Sequence, residues 1–280
     1  MKFNLNSIVV LSVIFIVSCS MENESTAMTD QGPIYQGPFY NEFVACSPGP
    51  QFSQELVAEM LSAWDDLDKS ENLLWAGIYA PKGDSNKYDN GWWELMWNSK
   101  EEADAAWEEW SSNSDAQAWN EKYSAVVNCD GEGRFAWTFY LPRVANSFGE
   151  VEDPETGYFA SEFMECSFNE GKKSADLRAN VVEYNNYLDN LDNQDPYFFG
   201  VYYPTFEYED ADILWGNWHK NFDTMEAGQA DWEENGQEML AKFNETVTCN
   251  TFDYYDSYML LNNTDAVSYT HLTLPTILRV

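Results

Sequence analysis

The sequence predicts an α+β fold made of two tandem copies of a β-α-β-β-α-β unit, and three observations predict it. An internal repeat is the first: Glu42-Phe43-Val44-Ala45-Cys46-Ser47 returns as Glu162-Phe163-Met164-Glu165-Cys166-Ser167, and Lys122-Tyr123 with Val127-Asn128-Cys129 returns as Lys242-Phe243 with Val247-Thr248-Cys249, both 120 residues on. Between these anchors Gly77-Ile78-Tyr79-Ala80-Pro81 matches Gly200-Val201-Tyr202-Tyr203-Pro204 at an offset of 123, and Trp97 matches Trp218 at 121. Cysteine spacing is the second, since Cys46 to Cys129 and Cys166 to Cys249 both span 83 positions. The third is the same order of helical and strand periodicity within each copy.

The first strand of each copy ends at its first paired cysteine. Phe52, Leu56, Val57, Met60, Leu61, Trp64 and Leu67 then recur at helical spacing behind Pro48 and Pro50, and Leu177, Val181, Val182, Tyr184, Leu188 and Leu191 do so behind Ser174, the expected N-cap. Aromatic-rich runs of strand length follow at 73–80, 92–97 and 134–141, matched by 197–203, 213–218 and 252–261. The second helices fall at 101–127, broken near 111–114, and at 223–247. Asn146, Gly149 and Asp153-Pro154 mark a linker. The resulting plan is a signal peptide at 1–18, a flexible tether at 19–38, a first repeat at 39–143, a linker at 144–157, a second repeat at 158–261 and a tail at 262–280.

A β-α-β-β-α-β order is the ferredoxin-like unit. Tandem units with a strand ending in Met96-Trp97-Asn98-Ser99, followed by the acidic helix start Lys100-Glu101-Glu102-Ala103, resemble the dimeric α+β barrel superfamily over residues 39–261. The resemblance implies an intramolecular pseudo-dimeric α+β barrel, two sheets facing a shared interior within a monomer. That superfamily includes small monooxygenases, haem-degrading enzymes and members without known chemistry. Many barrel monooxygenases place a helix histidine where this chain has Trp107, which sets their oxygen chemistry in doubt here.

In the ferredoxin-like unit the first strand runs antiparallel beside the fourth, so each cysteine pair falls where those strands meet. One disulfide per copy is expected, Cys46 with Cys129 and Cys166 with Cys249. With no Cys-x-x-Cys and few histidines, metal ligation by these cysteines is the weaker alternative.

Met1-Lys2, an apolar run from Ile8 to Val17 broken by Ser12, and Ser18-Cys19 have the form of a secretory signal peptide too short to span a bilayer. Ile16-Val17-Ser18-Cys19 resembles a bacterial lipobox, which implies that Cys19 is acylated and the mature protein anchored in the cell envelope; simple cleavage and secretion is the alternative. Val267 to Val280 lacks Asp and Glu, and 268–276 reads as translated adapter sequence, a sequencing artefact outside the fold. Its removal takes away His271 and leaves His219 as the body's histidine.

A net charge of −34 repels nucleic acid and anionic membrane surfaces. The 12 Trp, 17 Tyr and 17 Phe exclude an acidic disordered chain.

Strand alternation puts Trp75, Gly77 and Tyr79 on one face with Phe198, Gly200 and Tyr202, and Glu94, Met96 and Asn98 on one face with Trp215, Asn217 and His219. This mixed face is expected to line the barrel interior, with Trp93, Leu95, Trp97, Leu214 and Trp218 under the helices. An apolar cavity with a few convergent polar groups is the general form of a small-ligand site. The expected function is therefore non-catalytic binding of a small apolar or aromatic ligand, or of a protein partner, through Trp75, Tyr79, Glu94, Met96, Asn98, Phe198, Tyr202, Trp215, Asn217 and His219; the bland alternative is that these rings only pack two sheets together. A barrel-type monooxygenase or haem-handling enzyme centred on His219 is the other function, against which stands a merely solvent-facing histidine at a strand-helix junction. No cofactor and no metal is expected. Haem at His219 and Ca²⁺ in the acidic loops Asp84 to Gly91 and Glu207 to Asp212 are the alternatives, although those loops lack EF-hand spacing. No zinc-protease motif, Walker loop or nucleophile elbow occurs.

Overall fold

A computed structural model describes residues 36–143, 157–192 and 197–264. The leader, the tether up to residue 35, the linker up to 156 and the tail from 265 lie outside the described residues. The first copy runs β1 (Gln36–Pro48), α1 (Gln54–Asp65), β2 (Trp75–Pro81), β3 (Gly91–Trp97), α2 (Lys100–Ser112), α3 (Ser114–Tyr123), β4 (Val127–Cys129) and β5 (Phe135–Leu141). The second runs β6 (Tyr158–Phe168), α4 (Ser174–Asp189), β7 (Tyr197–Pro204), β8 (Ile213–His219), α5 (Phe222–Asn235), α6 (Gln237–Thr246), β9 (Val247–Cys249) and β10 (Asp253–Asn262).

Each copy forms the sheet of the ferredoxin-like unit, β5-β1-β3-β2 and β10-β6-β8-β7, with every neighbour antiparallel. The two sheets then join at both edges. β5 pairs β7, with Phe139 opposite Tyr202, and β10 pairs β2, with Ser257 opposite Tyr79. Strands β10-β2-β3-β1-β5-β7-β8-β6 therefore return to β10 and close a barrel, which leaves no open edge among those eight strands. The fold is the expected α+β barrel of two ferredoxin-like units. β4 and β9 sit outside the ring, each clipped to its copy's first strand by the disulfides Cys46–Cys129 and Cys166–Cys249.

The interior is packed with rings from both copies, including Phe43, Tyr79, Phe139, Phe163, Tyr202 and Trp218. Phe43 meets its repeat counterpart Phe163 edge to face at 6.0 Å between centroids, and Phe139 stacks on Tyr202 at 4.2 Å. Gly216 makes room for this packing, because a Cβ there would lie 2.7 Å from the Phe163 ring. One carboxylate is enclosed with the rings. Glu94 accepts hydrogen bonds from the Tyr79 hydroxyl, from Tyr202 Oη at 2.8 Å and from Asn41 Nδ2 at 2.6 Å.

Outside the ring, the helices of each copy cover the other sheet face. Val44, Trp64, Trp93, Leu95 and Trp97 form the first outer core, and Cys166, Leu177, Val181, Phe199 and Trp215 the second.

Several expectations require correction. On β3, Glu94 and Met96 do point inward, but on β8 the inward residue is Trp218 while Trp215, Asn217 and His219 face the helices. The cause is register. Tyr40 pairs Trp97 and its counterpart Ala160 pairs His219, so Trp97 corresponds to His219 at an offset of 122, not to Trp218 at 121. A one-residue slip sends every side chain of a strand to the other face. Leu214 likewise packs against the interior cluster rather than under the helices. Asn98 lies past the end of β3, exposed and bonded to Glu102 at 3.1 Å, away from the barrel interior where it was expected. The N-cap of α4 is Lys173, one residue before Ser174. Phe52 precedes α1, which Ser53 caps, and is 51% exposed. The second long helix of copy two breaks at Gly236, as that of copy one does at Asn113.

Candidate functional site

Two cavities of about 390 Å³ each lie between the barrel's outer face and its helices, one per copy. The volume suits a small organic ligand. The walls of the second-copy cavity are rings: Tyr184 and Tyr187 from α4, Tyr197 from β7, Trp215 from β8, Trp232 from α5 and Phe243 from α6. Its polar end is built on Glu162, which β6 turns toward the helices because its neighbours Ser161 and Phe163 take the barrel side. Glu162 accepts from Asn217 Nδ2 at 2.9 Å and from Gln229 Nε2 at 2.6 Å. Asn217 is fixed in turn, since its Oδ1 accepts from Tyr197 Oη and Trp215 Nε1, both at 2.8 Å.

His219 is buried beside this carboxyl. Its Nε2 has no hydrogen-bond partner and stands 4.0 Å from Glu162 Oε1. Burial pushes the imidazole down to about 4, so near neutral pH it is uncharged and offers a lone pair. Burial likewise pushes the Glu162 carboxyl up to about 7, against the opposing pull of its bonds from Asn217 and Gln229.

The first copy repeats the frame with different chemistry. Glu42 occupies the place of Glu162 and accepts from Trp107 Nε1 at 2.7 Å, so Trp107 stands in for Gln229. It also pairs with Arg134 at 3.0 Å, whose guanidinium lies 4.4 Å from the centre of the Trp107 ring. In strand register the residue matching Arg134 is Phe252, one before Asp253, which pairs Phe163 as Phe135 pairs Phe43. The second carboxyl has lost its cation, and a ring lines the cavity there instead.

The expected site residues thus divide. Tyr79, Glu94, Met96 and Tyr202 are buried inside the barrel, with Trp75 and Phe198 packed against that cluster, while Trp215, Asn217 and His219 line the outer cavity. Sequence reasoning missed Glu162, Gln229, Tyr184 and Trp232. The repeat itself held one signal, because Glu42 and Glu162 are the acid in the best-preserved motif of both copies. In the acidic loops considered for calcium, the ammonium of Lys87 lies 2.8 Å from Glu165 and 2.9 Å from Asp210. No cluster of three metal-ligating side chains occurs among the described residues.

Fold and site together define an α+β barrel protein with a ligand-sized, ring-lined cavity against the outer sheet of its second copy. No family model and no curated protein matches the sequence. Among solved structures the chain is similar to an anthrone oxidase-like protein (9% identity, TM-score 0.48, covering 81% of this chain and 96% of that one). It is similar also to a haem-binding protein from Thermus thermophilus (9%, 0.45, 85% and 97%) and to a chlorite dismutase variant from Candidatus Nitrospira defluvii (9%, 0.44, 80% and 93%). At these identities no residue role passes from one chain to another.

Proposed function

We propose that this protein is a non-catalytic binder of a small apolar or aromatic ligand, held at the cell envelope by an acylated Cys19 and working as a monomer. The observation that carries the reading is the second-copy cavity, where aromatic walls converge on a buried Glu162 and on a His219 Nε2 without a partner. A buried polar atom left unpaired costs roughly 1–3 kcal/mol, and a ligand group that bonded it would recover that cost. Binding to a protein partner has no comparable support.

Haem is the second reading, favoured by one observation: a neutral imidazole with a free Nε2 is the form an axial ligand takes. The residues that would hold the group are His219, toward the iron, and Tyr184 and Trp232 as flanking rings. Bound haem would supply redox chemistry.

Titration of the chain lacking residues 267–280 separates the readings. Quenching of tryptophan emission by apolar aromatic ligands, with no Soret band on haem addition, is the expected result. A Soret band lost in His219→Ala would replace it with the haem reading.

A further inference from the structure

Resting on the cavity reading, we infer that the ligand of the second-copy cavity carries an ammonium group, which docks between Glu162 and His219 inside the ring-lined pocket. Three observations converge. The two copies build the same carboxyl frame, but only Glu42 receives a guanidinium from its own chain; Glu162 keeps two neutral amide donors, and Phe252 stands in the register position of Arg134. A buried carboxylate without a counter-charge is costly, and the space left open is where a ligand's charge would supply one.

The second observation is that an ionised Glu162 is an acceptor and that a neutral His219 protonated at Nδ1 would present a second acceptor beside it. Glu162 Oε1 and the unpartnered His219 Nε2 stand 4.0 Å apart. An ammonium has three donors and no acceptor, and a nitrogen about 2.9 Å from each of two atoms spans that separation. A ligand carboxylate or phosphate would meet the ionised Glu162 and be repelled.

The third is the walls. Tyr184, Tyr187, Trp232 and Phe243 present ring faces and edges that accommodate an apolar body and attract a cation desolvated beside them. The net charge of −34 draws cations toward the molecule as a whole.

The groups around Glu162 are consistent with this assignment. Facing it are Asn217 and His219 from β8, Gln229 from α5, and the hydroxyls of Tyr184, Tyr197 and Tyr254, none of them cationic near neutral pH. Arg143 lines the cavity but is held by Asp189 at 3.0 Å, and Asp231 adds a further acid to the lining.

The test is calorimetry on the chain lacking residues 267–280, with 2-phenylethylamine and its neutral isostere 2-phenylethanol as probes. The readout is the ratio of their affinities. At about pH 8 the amine should bind at least ~10-fold more tightly. Glu162→Gln should collapse the ratio, and so should Phe252→Arg, which restores the cation of the first copy while leaving Glu162 in place. Equal affinities in the native chain, or an amine preference that survives both substitutions, would overturn the inference and leave the cavity reading standing. Failure of both probes to bind would overturn the cavity reading and the ammonium assignment with it.

Discussion

Glu94 is closed off from water inside the barrel, and its surroundings set a measurable pH dependence. Burial pushes its carboxyl up to about 7, while bonds from Tyr79, Tyr202 and Asn41 pull the other way. In the unfolded chain a glutamate titrates near ~4.3, so the folded state holds its proton over a range where the unfolded state has lost it. The stability this contributes is complete below about pH 4 and lost as pH rises through about 7. Glu94→Gln never ionises and should escape that loss. Between about pH 5 and about pH 8 the native chain should therefore lose up to about 3 kcal/mol more than the variant in urea unfolding. Parallel stability curves for the two proteins would mean that Glu94 stays ionised in the folded state. That a carboxyl belongs in the interior was legible in the sequence, because Glu94 alternates with Met96 in an aromatic strand. Its three partners were not all visible, since Asn41 and Tyr202 come from strands remote in the chain.

At the scale of elements, β4 and β9 are three-residue strands that pair only with β1 and β6, so the disulfides hold them in place. Each bridge closes a separation of 83 residues, for which the chain-entropy estimate is roughly 4.5 kcal/mol before native strain is subtracted. Replacing Cys46 and Cys129 by serine should lower the midpoint of unfolding sharply yet leave the far-ultraviolet circular dichroism of the barrel intact. A variant as stable as the native chain would show that β4 stays paired without its clip. The pairing was readable from the repeated spacing taken with the strand order of the ferredoxin-like unit, and the main order of elements from the agreement of periodicity and repeat, but β4 and β9 were not foreseen as strands separate from β5 and β10. The face of β8 was not. Trp97 and Trp218 looked equivalent because both are tryptophans, and side-chain identity outweighed register. The helix starts carried the true offset: Ser99 and Asn221 are N-caps 122 residues apart, and each side chain accepts from the third residue of its helix. The break at Gly236 was equally readable, as a glycine ending one helix and opening the next.

For the whole molecule the decisive contacts are the two seams, β5 with β7 and β10 with β2. Each joins one copy to the other, so neither copy alone can close its sheet or cover Tyr79 and Tyr202, which are 2% and 0% exposed in the intact barrel. Residues 39–143 and 157–261 expressed as separate fragments should aggregate, self-pair or bind each other, while the intact chain remains monomeric in analytical ultracentrifugation. Two independent, well-behaved monomers would contradict the closed ring. The seams also bear on how such a chain can change over generations. Were the two halves separate but identical chains, any substitution near one carboxyl would appear at both, and a change that suited one site would be imposed on the other. Closing the ring within a single polypeptide removes that constraint. One half is free to keep Arg134 against Glu42 and remain scaffolding, while the other exchanges the same position for Phe252 and leaves Glu162 to meet something from outside.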